Sequence, residues 1–148
     1  MSLTQRIEQE YLAAYKAKQE IVLLTLRAVK TACKLKQVDL KRPLEDADVL
    51  AVLQKEAKQR QESIELFTAA NRADLADKEA AELAVLKTFL PEAMSEEALR
   101  AVVDETIARL GVASVQDMSK VMQAIMAEHK GKVDGKALSA LVKARLQP

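Results

Sequence analysis

The chain contains no tryptophan, a single cysteine, a single histidine, and only three glycines and three prolines among 148 residues. Each scarcity removes a class of protein. Cys33 alone permits neither a disulfide framework nor a thiolate zinc cage. His129 supplies the commonest metal ligand and general base in one copy only, so no metal site is expected, and no cofactor. The aromatic residues are Tyr11, Tyr15, Phe67 and Phe89, too few to form platforms on which bases stack. So little Gly and Pro argues against a β-sandwich or a loop-rich scaffold. No apolar run approaches the ~18 residues of a membrane span. The opening residues MSLTQRIEQE carry charge where a secretory leader carries an apolar stretch. The expected location is the cytoplasm, with no membrane partner.

What is abundant is Ala, Leu, Glu, Lys and Gln, which lose little side-chain entropy in a helix. Hydrophobic residues make up 49% of the chain, enough for a core in one medium domain or two small ones. The fold class expected is all-α: an N-terminal four-helix bundle-like domain over residues 1–90 and a small C-terminal three-helix domain over residues 95–148.

Helix punctuation supports that division. Ser2 with Gln5 three residues later reads as a capping box, and the first helix relaxes near Lys18-Gln19. A second helix is expected over residues 20–38. Its positions Ile21, Leu24, Ala28, Thr31, Leu35 and Val38 form an apolar stripe, widened by Val22, Leu23, Leu26, Val29 and Cys33. So broad an apolar face predicts a central helix of the bundle. Pro43 breaks the pattern, and Glu45, Asp46 and Asp48 place negative charge at the start of a third helix. Asn71 fits a left-handed stop before a fourth helix over residues 73–90. Pro91 and Ser95 mark the domain boundary, with Ser95 as N-cap. Beyond it, one helix ends at Gly111, Ser114 and Asp117 suggest a second capping box, and Asp134 caps the last helix.

The residues able to carry chemistry are mostly explained by structure. His129 sits in the last turn of a helix, where a protonated imidazole complements the helix dipole. Cys33 lies among apolar residues without an activating base nearby in sequence, so packing is its expected role. Met118, Met122 and Met126 recur every four residues with Val121 and Ile125 between them. That period reads as core, with an adaptable binding groove as the alternative. The carboxylates from Glu56 to Glu82 alternate with Lys and Arg as on a solvated helix face. No catalytic residue is assigned, and the isolated chain is not expected to act as an enzyme.

Charge distribution says more than the net charge of +1. Residues 16–42 hold eight basic and two acidic side chains, residues 44–82 ten acidic and five basic, and residues 114–148 six basic and three acidic. Arg27, Lys30 and Lys34 form a secondary basic patch on one helix face, which neighbouring acidic helices are expected to neutralise. Near the C-terminus, Lys130, Gly131, Lys132, Asp134, Gly135 and Lys136 surround a tight turn that opens a helix. Helix N-termini present N–H groups to phosphate oxygens, and lysines supply the sequence-independent attraction that dominates nucleic-acid affinity.

Two stretches resemble a known family. KQRQESIELFTAANRADLADKEAAELAVLKTFLPEAMS, residues 58–95, resembles the signature of YqeY-like proteins. Val115 to Met122 and Lys130 to Lys136 match its second motif, V-x-D-M-x-K-V-M followed by K-G-x-x-D-G-K. Asn71 and Ser119 stand where the pattern has Gly. The resemblance implies kinship with the GatB/YqeY domain, the helical C-terminal tail found in the glutamine-dependent tRNA amidotransferase, a carbon–nitrogen ligase with glutamine as amido-N-donor. It implies a stand-alone tRNA-binding or amidotransferase-associated helper. The partners it implies are tRNA and components of the amidotransferase or of an aminoacyl-tRNA synthetase. The candidate phosphate contacts are Lys120, Lys130, Lys132, Lys136 and Lys143. The alternatives are a helical protein-interaction adaptor without RNA binding, or an amidotransferase active only within a complex.

Overall fold

A computed structural model describes residues 1–129 and 131–147. Regular structure among these residues is helical throughout: α1 (Leu3–Ala17), α2 (Glu20–Leu40), α3 (Asp46–Ala69), α4 (Ala73–Lys87), α5 (Glu96–Leu110), a short 3-10 turn (Val115–Asp117), α6 (Met118–Glu128) and α7 (Gly135–Leu146). The contacts divide the chain into two compact units, residues 1–90 and 91–148.

In the first unit, Ser2 caps α1 reciprocally. Its Oγ accepts from the Gln5 N–H at 3.1 Å, and its own N–H donates to Gln5 Oε1 at 3.0 Å. α1 ends where Lys18 turns left-handed at φ 58°. α2 touches α1, α3 and α4, while α3 and α4 form the most extensive pairing. α3 begins after Pro43 with the Glu45 N–H donating to Asp48 Oδ2 at 2.9 Å. Asn71 takes φ 58° between α3 and α4, as its tolerance of left-handed geometry allows. Ile7, Leu26, Val29, Val49, Val52, Leu53, Leu86 and Phe89 build the core. Each such side chain contributes about 1.5–3 kcal/mol relative to exposure.

Three expectations need correction. The stripe from Ile21 to Val38 does not face the core. Leu24 is 48% exposed, Leu35 63% and Val38 67%. The buried positions of α2 are Thr25, Leu26 and Val29. α2 carries apolar residues on two faces, so periodicity alone could not say which one the bundle covers. Ser114 and Asp117 form no capping box. Ser114 Oγ accepts from the Gln116 N–H at 3.2 Å and opens the 3-10 turn, and α6 starts only at Met118. The fourth helix stops at Lys87 rather than continuing to Leu90, because the Thr88, Phe89 and Leu90 N–H groups tighten onto carbonyls three residues back.

In the second unit, Ser95 Oγ caps α5 by accepting from the Ala98 N–H at 3.1 Å. Gly111 ends that helix at φ 65°. An added Cβ there would meet open space, so only the left-handed backbone calls for glycine. Leu99, Val103, Val121, Ile125, Leu138, Val142 and Leu146 form the core. Met118 and Met122 pack against it, half-buried, whereas Met126 is exposed. The methionine period is therefore core over two of its three positions.

Candidate nucleic-acid interface

The turn between α6 and α7 is fixed by backbone bonds. The Lys132 N–H donates to the His129 carbonyl at 3.1 Å, and the Lys132 carbonyl accepts from Met94 N–H at 3.0 Å. The segment leading into α5 thus holds the turn from outside. Gly131 adopts φ 82°, a conformation that disfavours any residue with a Cβ. Asp134 Oδ2 accepts from the Ala137 N–H at 3.2 Å and caps α7. That carboxylate occupies part of the helix N-terminus and takes up an N–H group that an anion would otherwise meet.

Lys132, Lys136 and Lys143 are all exposed. Lys132 and Lys136 flank the Asp134 cap. Lys143 follows Lys136 by seven residues on the same face of α7, about 10 Å along the axis. Lys120 projects from the first turn of α6 and is 73% exposed, with its Nζ 3.9 Å from Asp117 Oδ1. α6 runs from Lys120 toward the turn, and the end of α7 lies beside the residues that precede α6, since Arg145 and Gln147 line one cleft with Ser114 and Gln116. Lys132 and Lys136 accordingly sit at one end of the α6–α7 hairpin, and Lys120 and Lys143 toward the other. Lys130, the remaining candidate, lies outside the described residues.

Ion pairing separates these lysines from the arginines of the same unit. Arg100 binds Glu96 at 2.7 Å, Arg109 binds Glu128 at 2.9 Å, and Arg145 binds Asp104 at 3.0 Å. Among the described residues, no carboxylate oxygen lies within 4.0 Å of the ammonium of Lys132, Lys136 or Lys143. A sequence cannot show this difference, because it depends on which carboxylates the three-helix packing brings to which cation.

The secondary patch on α2 is partly neutralised, but not by the acidic helices expected to do it. Lys30 pairs with Glu8 of α1 at 3.0 Å and lies 4.2 Å from the centre of the Tyr11 ring. Arg27 donates to the Tyr11 hydroxyl at 3.5 Å. Lys34 lines a cleft of about 350 Å³ with Cys33, Glu8 and Gln37. Burial pushes the Cys33 thiol above its ordinary value, and the Glu56 carboxylate pushes it further. That shift favours the protonated, unreactive form and agrees with a packing role.

One charged cluster departs from the solvated face expected for α3 and α4. Arg60 donates to Glu56 through both the carboxylate and the backbone carbonyl, and its Nε lies 3.9 Å from Glu82 Oε2. All three side chains are 12–15% exposed. Arg60 Nε has no hydrogen-bond acceptor among the described residues. One guanidinium between two carboxylates ties α3 to α4 electrostatically. The i, i+4 spacing of Glu56 and Arg60 was readable, but the cross-helix member Glu82 was not.

The chain belongs to the YqeY-like family: the family described as "Yqey-like protein" matches residues 4–146. A protein of Schizosaccharomyces pombe (strain 972), described as "Uncharacterized protein C22F3.15", is 37% identical over 86 residues, covering 58% of this chain and 70% of that protein. No helix among the described residues is long and apolar enough to cross a membrane. No group of three or more His, Cys, Asp or Glu side chains among them is arranged to hold a metal ion.

Proposed function

We infer that this protein binds tRNA through its second unit and serves as a helper to tRNA-dependent amidation or to a related step of tRNA charging in the cytoplasm. The observation that carries the reading is the contrast between cations. The arginines of this unit are committed to carboxylates, whereas Lys132, Lys136 and Lys143 are exposed and unpaired among the described residues. Unpaired lysines release counterions on meeting phosphates and need no base readout. Few aromatics are available for stacking, which favours recognition of shape and backbone. Lys120 and Lys130 complete the proposed set. Components of the amidotransferase or of an aminoacyl-tRNA synthetase are the protein partners of this reading. No catalytic residue is assigned to the chain. The two units are read as separate domains, 1–90 and 95–148, with the intervening residues as linker.

The test is the salt dependence of tRNA binding by the full chain, with and without Lys132→Ala, Lys136→Ala and Lys143→Ala together. The triple variant should bind more weakly and lose at most about three units of log–log salt slope, one per phosphate contact removed. These are exposed positions, so stability should move by less than about 0.5 kcal/mol per site. Unchanged affinity and slope in a folded variant would refute the assignment of these lysines.

A further inference from the structure

The outward face of α2 has the spacing of a coiled-coil seam. Ile21, Leu24, Ala28, Thr31, Leu35 and Val38 are separated by three, four, three, four and three residues. Ile21, Ala28 and Leu35 therefore occupy heptad position a, and Leu24, Thr31 and Val38 position d. The seam is a second apolar face in addition to the one that packs in the bundle. Thr25, Leu26 and Val29 are buried beneath it, while Leu24, Leu35 and Val38 remain 48%, 63% and 67% exposed. Burial on one face and exposure on the other leave three heptads without a partner in the unit.

Charge identifies the partner. The g positions on α2 are Glu20, Arg27 and Lys34, all exposed; Glu20 stands at the first residue of the helix, and the two along the middle of the seam, Arg27 and Lys34, are basic. The e positions are Thr25, Ala32 and Asp39. Thr25 is buried and Ala32 half-buried against the bundle, and Asp39 is exposed only in the last turn, so over the middle of the seam the edge a docking helix would meet is the basic pair Arg27 and Lys34. Glu56, at the rim, is already paired with Arg60. We propose that the α2 seam docks an apolar helix of another protein whose flanking positions carry Asp or Glu.

A second copy of this chain fits poorly. An antiparallel copy would set g against g, placing Arg27 opposite Lys34 twice at the middle of the seam. A parallel copy would stack Ala28 on Ala28 and Thr31 on Thr31, two successive small layers at the middle of the seam. That region is a depression of about 490 Å³ between Leu24 and Leu35. A partner with large apolar side chains at its own central a and d positions would fill it. The proposal concerns the first unit and stands apart from the lysines of the second.

The experiment uses the full chain and two synthetic peptides of about four heptads, both with Leu at a and d. One carries Glu at every e and g position, the other Lys, and like-charge repulsion keeps either from pairing with itself. The Glu peptide should bind at least about tenfold more tightly than the Lys peptide. In the Arg27→Glu/Lys34→Glu variant the preference should reverse. Leu24→Glu with Leu35→Glu should weaken binding of the Glu peptide by about a hundredfold or more, while the helical circular dichroism and tRNA binding stay as in the parent. Both leucines are largely exposed, so the fold should survive. The proposal is overturned by absence of binding to either peptide, by equal binding, or by a preference that survives charge reversal. It is also overturned if the chain dimerises in sedimentation through Leu24 and Leu35, or if Arg27→Glu/Lys34→Glu costs tRNA affinity without changing peptide preference.

Discussion

Asp48 shows how much one side chain can do at a helix start. It accepts from Arg42 Nη1 at 2.7 Å and Nη2 at 3.1 Å, and from the Glu45 N–H at 2.9 Å. The Arg42 hydrogen bonds, followed by the Glu45 backbone bond, hold its carboxyl below the ordinary aspartate value. A carboxyl with a depressed folded pKa adds stability that is fully present above its unfolded pKa, about 3.9, and is lost as pH falls through the folded value. Asp48→Asn should therefore destabilise the protein at neutral pH by more than it does in acid. Urea unfolding of both chains at a series of pH values from 7 downward checks this. The two stabilities should converge below the ordinary aspartate range, and a difference independent of pH would contradict the electrostatic account. The acidic start of α3 was legible in the sequence, but the Arg42 fork was not, since it depends on the chain reversing around Pro43.

At the scale of elements, punctuation was the most readable signal. Ser2, Ser95 and Asp134 cap helices through the side-chain bonds their identities suggest, and Asn71 and Gly111 take the left-handed geometry expected of them. These are local decisions, made within four residues of chain. Lys18 and Lys41 also take left-handed φ, 58° and 56°, and nothing in their side chains announces it. Facing was less legible. α2 has apolar residues at positions that suit the bundle and at positions that suit a heptad, and only the placement of α1, α3 and α4 chooses between them. The 3-4-3-4 spacing is plain in the sequence, yet it reads as core until the packing is known. The candidate lysines were legible as residues. That Lys132, Lys136 and Lys143 have no ion-pair partner among the described residues was not, because Asp104 and Glu128 reach Arg145 and Arg109 across sequence gaps that packing closes.

At the scale of the whole molecule, each unit has its own core: one built on Leu26, Leu53 and Leu86, the other on Val103, Ile125 and Leu138. If these are separate domains, damage to one should stay local. Leu138 is fully buried, and Leu138→Ala should cost about 2–5 kcal/mol. Native-state hydrogen exchange should show protection falling in α5, α6 and α7 while amides of α1 to α4 keep theirs. A uniform loss across both units would contradict the division.

The central claim is the proposal that RNA meets the second unit at its exposed lysines. Backbone amide chemical shifts of the full chain, followed as tRNA is added at low salt, test it most directly. The account predicts changes at Lys132 to Lys136 and around Lys120 and Lys143, reversed by added salt, with α2 unaffected. Changes confined to α2, or none at any RNA concentration, would contradict it.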